Sequence, residues 1–361
     1  MDQITAEMEM VDHIHQPAFC VKEGIIVKSN PAAQIRMLGP GTSVLALFEV
    51  GQEDYETFTE GCLFATLRLD NQVCGVSITR KRDFDLFLLL PDSERLDLRV
   101  LSLAARELRE PLSSLMITTG HLFTEGTPQD PAARESAARM TRSLFQLLRI
   151  VGNMADASRF ESDLGHRMEL RDVCTFVQEI TEKAKALAET AGVYLLCSIH
   201  PEPVYSEIDC EKLERSIYNL LSNALKFTSA GGRIHLSLTR RGNKLSLSVC
   251  DSGQGVCEPL RGDIFSRYTR EPGVEDSRFG IGLGLVLVRA TAALHGGTVL
   301  VDQPKDMGLR VTMTLAVRTG TGNQLRSPVM RVDYAGEWDH GLVEFSDTLP
   351  ASLYIPKEDT L

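Results

Sequence analysis

The chain has 361 residues, 43% of them hydrophobic, and a formal net charge of −11. That length and apolar content predict two or three cores in an α+β multidomain protein, and the acidic balance disfavours nucleic acid and anionic membranes as partners. The eight cysteines form no CxxC pair or metal spacing, no run approaches the ~20 apolar residues of a membrane span, and no signal peptide is evident, so a cytoplasmic chain with reduced thiols is expected.

Residues 1–90 read as a first α+β domain. Pro17 to Val21 and Ile25 to Val27 are short apolar runs joined by Lys22-Glu23-Gly24, a hairpin signal. Asn30-Pro31 reads as a cap and first residue of a short helix running to about Met37. Leu63 to Leu69, Val73 to Arg80 and Phe84 to Leu90 look like three strands of an antiparallel sheet. This order resembles a PAS sensor domain with a reduced helical middle. No Cys, His or aromatic cluster identifies a bound haem or flavin.

Residues 91–165 carry two heptad seams. The first is Leu101, Ala105, Leu108, Leu112, Leu115, Thr119 and Leu122; the second is Ala137, Met140, Leu144, Leu147, Val151, Met154 and Ser158. Glu125 to Pro131 reads as the turn between them, with Asp130 capping and Pro131 opening the second helix. Such a hairpin has too little core to stand alone, so two copies are expected to pair as a four-helix bundle through helices 92–160.

Residues 166–318 hold three short motifs in fixed order. Asn219, Asn223 and Lys226 fall at i, i+4 and i+7 of a helix whose apolar face is Leu213, Ile217, Leu220, Leu221, Ala224 and Leu225, with Asp209 capping its start. A solvated face usually carries Glu, Lys and Arg, whereas Asn is a poor helix former. Amide oxygens can join a Mg²⁺ shell without adding charge, and a lysine one turn on can meet phosphate oxygens. Asp251-Ser-Gly253-Gln-Gly255 comes after the strand Leu245, Leu247, Val249, which pairs with Ile234, Leu236 and Leu238 across the turn at Arg241 to Lys244. A carboxylate at a strand end, with glycines after it, can accept from an exocyclic amine, although Asp-Ser-Gly is also ordinary turn chemistry. Gly280-Ile-Gly282-Leu-Gly284-Leu then opens a helix, Leu285 to Leu294, that stops at Gly296-Gly297. Glycines at a helix start present N–H groups to phosphate. ATP with Mg²⁺ is the ligand these three motifs describe.

The order of the boxes resembles the ATP-binding domain of sensor histidine kinases, an α/β sandwich of the GHKL (Bergerat) type. Ile264-Phe265-Ser-Arg-Tyr268 is similar to that family's phenylalanine box, with Tyr268 where a second Phe is usual, and His295-Gly296-Gly297 matches the family's pattern just beyond the last box. The resemblance implies that Asn223 holds Mg²⁺, Lys226 touches phosphate and Asp251 reads the adenine amine. Related gyrase-type ATPases place a glutamate base where Asn219 stands, which argues against simple ATP hydrolysis.

The hairpin is similar to the same family's dimerisation and phosphoacceptor domain, whose signature is Ser-His-Glu-Leu-Arg-x-Pro-Leu. This chain reads Ala105-Arg106-Glu107-Leu108-Arg109-Glu110-Pro111-Leu112. Arg106 therefore occupies the phosphoacceptor position. A guanidinium stays protonated and has no lone pair to attack phosphorus. Glu107, by resemblance the assisting base, has nothing to deprotonate, and Glu110 stands where some relatives place a phosphatase Thr or Asn. His121 lies 15 residues on, roughly 22 Å along a helix, and Ser113 and Ser114 would need a base.

These features are open to three readings. One is an ATP-binding sensor that cannot phosphorylate itself at the usual site. Another is an active kinase using a different acceptor or a partner protein, and the third is a non-catalytic scaffold. A response regulator is a candidate partner in the first two. Residues 319–361 form a tail in which Gly341 to Phe345 and Ser352 to Ile355 are short apolar runs suited to strands or docking segments.

Overall fold

A computed structural model describes residues 8–69, 72–90, 104–105, 108, 112–116, 118–119, 130–159, 167–255, 283–305, 307–319 and 339–355. Arg106, Glu107, Glu110, Pro111, His121, Phe265, Tyr268, Gly280 and Gly282 lie outside the described residues.

The first domain opens with the expected hairpin, β1 (Ala18–Lys22) and β2 (Ile25–Ser29). Its two-residue turn places both Glu23 (φ 51°) and Gly24 (φ 76°) in the left-handed region, the twist that suits a tight hairpin. Asn30 caps α1 (Pro31–Ile35) by accepting from Ala33 N, and the helix stops two residues short of Met37, which turns to φ 61°. After β3 (Phe48–Val50) and α2 (Gln52–Thr57) come β4 (Cys62–Leu69), β5 (Gln72–Arg80) and β6 (Asp85–Leu89). Their antiparallel order is β2-β1-β6-β5-β4, with β3 pairing β4. Phe19, Phe64, Phe87, Leu67 and Ile78 are fully buried.

The described residues between 104 and 119 are helical, and α3 spans Pro131–Arg159. Asp130 accepts from Ala133 N at 3.1 Å, so the cap and the proline open α3 as expected. The two seams divide, however. Ala105, Leu112, Thr119, Ala137, Leu144, Val151 and Met154 are buried within the chain, whereas the alternate residues Leu108, Leu115, Met140 and Leu147 remain 42–56% exposed. Among the described residues, one half of each heptad stripe is packed within the chain and the other half is open.

Beyond β7 (Met168–Asp172), three helices back a mixed sheet: α4 (Val173–Thr190), α5 (Cys210–Phe227) and α6 (Gly284–Leu294). The sheet runs β8 (Tyr194–Ile199), β10 (Arg233–Arg241), β11 (Lys244–Asp251), β13 (Arg310–Ala316), β12 (Val299–Asp302), with β7 and β9 (Tyr205–Asp209) paired separately. The expected register holds: Leu236 faces Val249 and Leu238 faces Leu247. All six apolar residues assigned to the face of α5 are buried.

One feature left no sign in the sequence: the two sheets are continuous. β4 pairs antiparallel with β12, matching Cys62, Leu63 and Phe64 with Val301, Leu300 and Val299, to make a single 11-stranded sheet. Close approach here depends on glycine. A Cβ on Gly61 would sit 2.2 Å from Val301 O, and one on Gly51 would sit 2.4 Å from Thr298 Cγ2, both at positive φ. Lys244 bridges the seam to Asp54 (2.8 Å) and Glu53 (3.0 Å), and Thr298 donates to Asp54 at 2.6 Å.

The tail corrects the strand alternative. Residues Gly341 to Phe345 lie in and beside α7 (His340–Glu344), capped by Asp339 accepting from Leu342 N, and Ala351–Tyr354 is a 3-10 turn. A short apolar run does not distinguish helix from strand, and here an Asx cap decides. No helix among the described residues is long and apolar enough to cross a membrane.

Candidate nucleotide-binding site

The helix α5 starts at a cap held from two sides. Asp209 accepts from Lys212 N at 3.1 Å, and its own N–H donates to His295 Nε2 at 3.0 Å. Thr291 O is an acceptor only, so the 2.7 Å contact at His295 Nδ1 fixes the ring proton there. Burial pushes His295 below the usual histidine range, which keeps Nε2 an acceptor. In the sequence His295-Gly296-Gly297 is only a pattern; the structure shows why each residue is needed. His295 ties the end of α6 to the start of α5, Gly296 takes φ 68°, and a Cβ on Gly297 would lie 1.8 Å from Thr314 O.

Asn219 is 1% exposed, yet neither its Nδ2 nor its Oδ1 has a hydrogen-bond partner among the described residues. A buried amide left open costs about 1–3 kcal/mol, so Asn219 calls for a partner beyond the described residues. Gly284, the last glycine of the third motif and the first residue of α6, packs directly on it. A Cβ there would meet Asn219 Oδ1 at 2.8 Å. Asn223 sits one turn further along α5 and is half-buried. Motifs one and three therefore meet, as their order implied.

Asp251 ends β11 and is 5% exposed. Its Oδ1 accepts from Gly253 N at 2.8 Å and Leu309 N at 3.2 Å. Burial pushes its carboxyl above the usual range against those two bonds. Gly253 and Gly308 crowd the same carboxylate: added Cβ atoms would lie 2.9 Å and 1.9 Å from Oδ1. Gly255 takes φ 71°. At Gly253 and Gly308 the backbone closes on the Asp251 carboxylate where a side chain would collide with it. Gly308 carries no signal in the sequence, because it stands alone between Met307 and Leu309 and belongs to no motif.

Lys226 has an unexpected partner. Its Nζ lies 2.9 Å from Asp347 Oδ2, on the tail. Burial and the nearby Arg149 push this ammonium below the usual lysine range, against the pull of Asp347. Arg149, on α3, donates to Asp347 Oδ2 at 2.6 Å and to Glu344 Oε2 at 3.0 Å. Arg215, on α5, reaches Glu344 at 3.6 Å and donates to Asn153 at 2.9 Å. Sequence reasoning missed Arg149, Arg215, Glu344 and Asp347, since no local spacing links positions so far apart.

Residues 208–319 match the family described as Histidine kinase-, DNA gyrase B-, and HSP90-like ATPase. The chain carries the ATP-binding domain of the sensor histidine kinase family. It is 30% identical over 262 residues to histidine protein kinase DivJ of Caulobacter vibrioides, covering 68% of this chain and 43% of DivJ. It is also 29% identical over 252 residues to the adaptive-response sensory kinase SasA of Crocosphaera subtropica, covering 64% of each. The chain thus spans less than half the length of DivJ and under two thirds of SasA. Among solved structures, full-length ShkA in complex with AMPPNP shares the fold, with a TM-score of 0.51 at 23% identity over 62% of this chain and 47% of that one.

Proposed function

We propose that this protein is a dimeric, nucleotide-binding sensor of histidine kinase descent that does not phosphorylate itself at the usual position. The observation that carries the reading is the open, buried amide of Asn219 beside Gly284, on the same helix as Asn223 and Lys226, in a chain whose acceptor position is Arg106. The residues present fit ATP with Mg²⁺. Asn219 and Asn223 would supply neutral oxygens to the metal, Lys226 would meet phosphate, and Asp251 would accept from the adenine amine. Gly280, Gly282 and Gly284 would present backbone N–H groups, with Gly253 and Gly255 leaving room for the ring and Phe265 and Tyr268 among the cofactor-binding residues. Bound ATP supplies a transferable phosphoryl group, and Arg106 offers no lone pair to take it.

The antiparallel order β2-β1-β6-β5-β4, with β3 beside β4, supports a PAS-like sensor, and the four half-exposed residues Leu108, Leu115, Met140 and Leu147 support pairing of two hairpins. Output would then pass as nucleotide-dependent shape, to a response regulator or another partner, without a phosphohistidine.

The test is phosphoryl transfer from γ-labelled ATP with Mg²⁺ to wild type, Arg106→His, and Arg106→His combined with Asn223→Ala. The expected result is label on Arg106→His alone. Label on the wild type, or failure of both wild type and Arg106→His to bind nucleotide, would overturn the reading.

A further inference from the structure

The C-terminal segment is anchored far more firmly than a tail needs. Val343, Phe345 and Leu349 are fully buried and Tyr354 is 3% exposed. Phe345 packs edge-on to Tyr218 of α5 at 5.5 Å between ring centroids, and Tyr354 packs edge-on to Phe145 of α3 at 5.3 Å. The segment therefore touches the hairpin and the ATP-binding domain at once. Its backbone is held as well: Arg142 donates to Ser346 O at 2.7 Å and to Asp347 O at 2.8 Å.

The charges give this anchor a direction. Arg149, Arg215 and Lys226 come from two different elements and converge on a small buried volume. Three cations brought together out of water repel one another unless an anion is among them. Glu344, fully buried, and Asp347 provide it, and one oxygen of Asp347 is shared between Arg149 and Lys226. A carboxylate on that ammonium takes one of its three N–H donors and offsets its charge, so a phosphate arriving at Lys226 meets a weaker field and must compete with Asp347 for it.

We propose that residues 339–355 are a latch in cis, in which Asp347 occupies Lys226 and competes with the phosphates of the nucleotide, so that nucleotide binding and release of the segment from α3 and α5 are linked. The proposal rests on the nucleotide reading for its competitor but not for the contact itself. Linkage is reciprocal: a latch that lowers nucleotide affinity is loosened by nucleotide to the same degree. A latch open in roughly one molecule in ten would weaken apparent binding about tenfold.

The experiment uses the full chain as wild type, Asp347→Asn and Tyr354→Ala. Two quantities are read: the affinity for trinitrophenyl-ATP with Mg²⁺, and hydrogen exchange across residues 339–355 with and without that nucleotide. The expected result is binding about tenfold tighter in Asp347→Asn, faster exchange of the segment in both variants, and faster exchange in wild type when nucleotide is added. Tyr354→Ala lies outside the ion cluster, so tighter binding there too marks a mechanical latch rather than a mere loss of one charge. Equal affinities in all three proteins, or exchange in wild type that nucleotide leaves unchanged, overturn the proposal. If none of the three binds nucleotide, the nucleotide reading fails and the competition fails with it. Unaltered exchange in Asp347→Asn would overturn the part of the proposal in which its charge holds the segment.

Discussion

On one side of the ATP-binding domain, β4 of the first domain lays three residue pairs along β12; on the other, α7 and the turn after it press a buried ion cluster against α5. The first contact is mostly backbone, with one lysine bridging it and two glycines letting the chains approach. The second is mostly side chain, with two carboxylates answering three cations. Backbone pairing asks little of the side chains, so many sequences could form the seam provided that nothing protrudes at positions 51 and 61. Buried charges are stricter, because each has a large desolvation cost that only its own partner offsets. One domain is thus held by shape on one face and by charge on the other.

These two contacts should respond differently to single changes. Glu344→Ala leaves Arg149 and Arg215 facing each other without their shared carboxylate, and about 3–5 kcal/mol of stability should be lost in urea unfolding of the full chain. A loss below about 1 kcal/mol would mean that water reaches these guanidinium groups. Gly61→Val should disturb only the seam. The positive φ alone costs about 1–3 kcal/mol, and the added side chain would strike Val301 O. Amide exchange at Val299 to Val301 should accelerate while the 339–355 segment keeps its protection; acceleration in both would show that the contacts are coupled. Lys244→Met is the mildest change, worth about 0.5–1 kcal/mol for a partly solvated bridge. Burial pulls this lysine down, but hydrogen bonds to Asp54 and Glu53 outweigh that and raise it above its usual range. Its contribution is therefore complete below the unfolded lysine value and fades as pH rises through the raised one, so wild type and Lys244→Met should converge in stability in strong alkali.

The elements that local chemistry determines were legible. The Glu23-Gly24 turn, the Asn30, Asp130 and Asp209 caps, and the β10–β11 register each depend on a few neighbouring residues, as do the positions of Asn219, Asp251 and Gly284. The hidden features depend on residues distant in sequence. The β4–β12 pairing joins Cys62 to Val301 across most of the chain, and nothing in Cys62 to Phe64 distinguishes an edge that pairs from one that faces water. The heptad stripe was visible, but which half a single chain would bury was not, since the open half (Leu108, Leu115, Met140, Leu147) is no less apolar than the half that packs. The role of Asp347 was beyond reach for the same reason: an acidic residue in a polar tail looks solvated until Arg149 and Lys226 are placed beside it.

The shared sheet also bears on how the protein behaves in a crowded solution. An uncovered edge strand offers a ladder of unpaired N–H and C=O groups to any passing chain, and β12, with Val299, Leu300 and Val301, is apolar as well. With β4 seated on it, that ladder is taken. Lifting the first domain away would turn a unimolecular rearrangement into one that depends on protein concentration, because the bared strand could then pair with a second molecule. In this arrangement β4 covers the edge of β12, so the ATP-binding domain cut free of the N-terminal region should be the more aggregation-prone of the two forms.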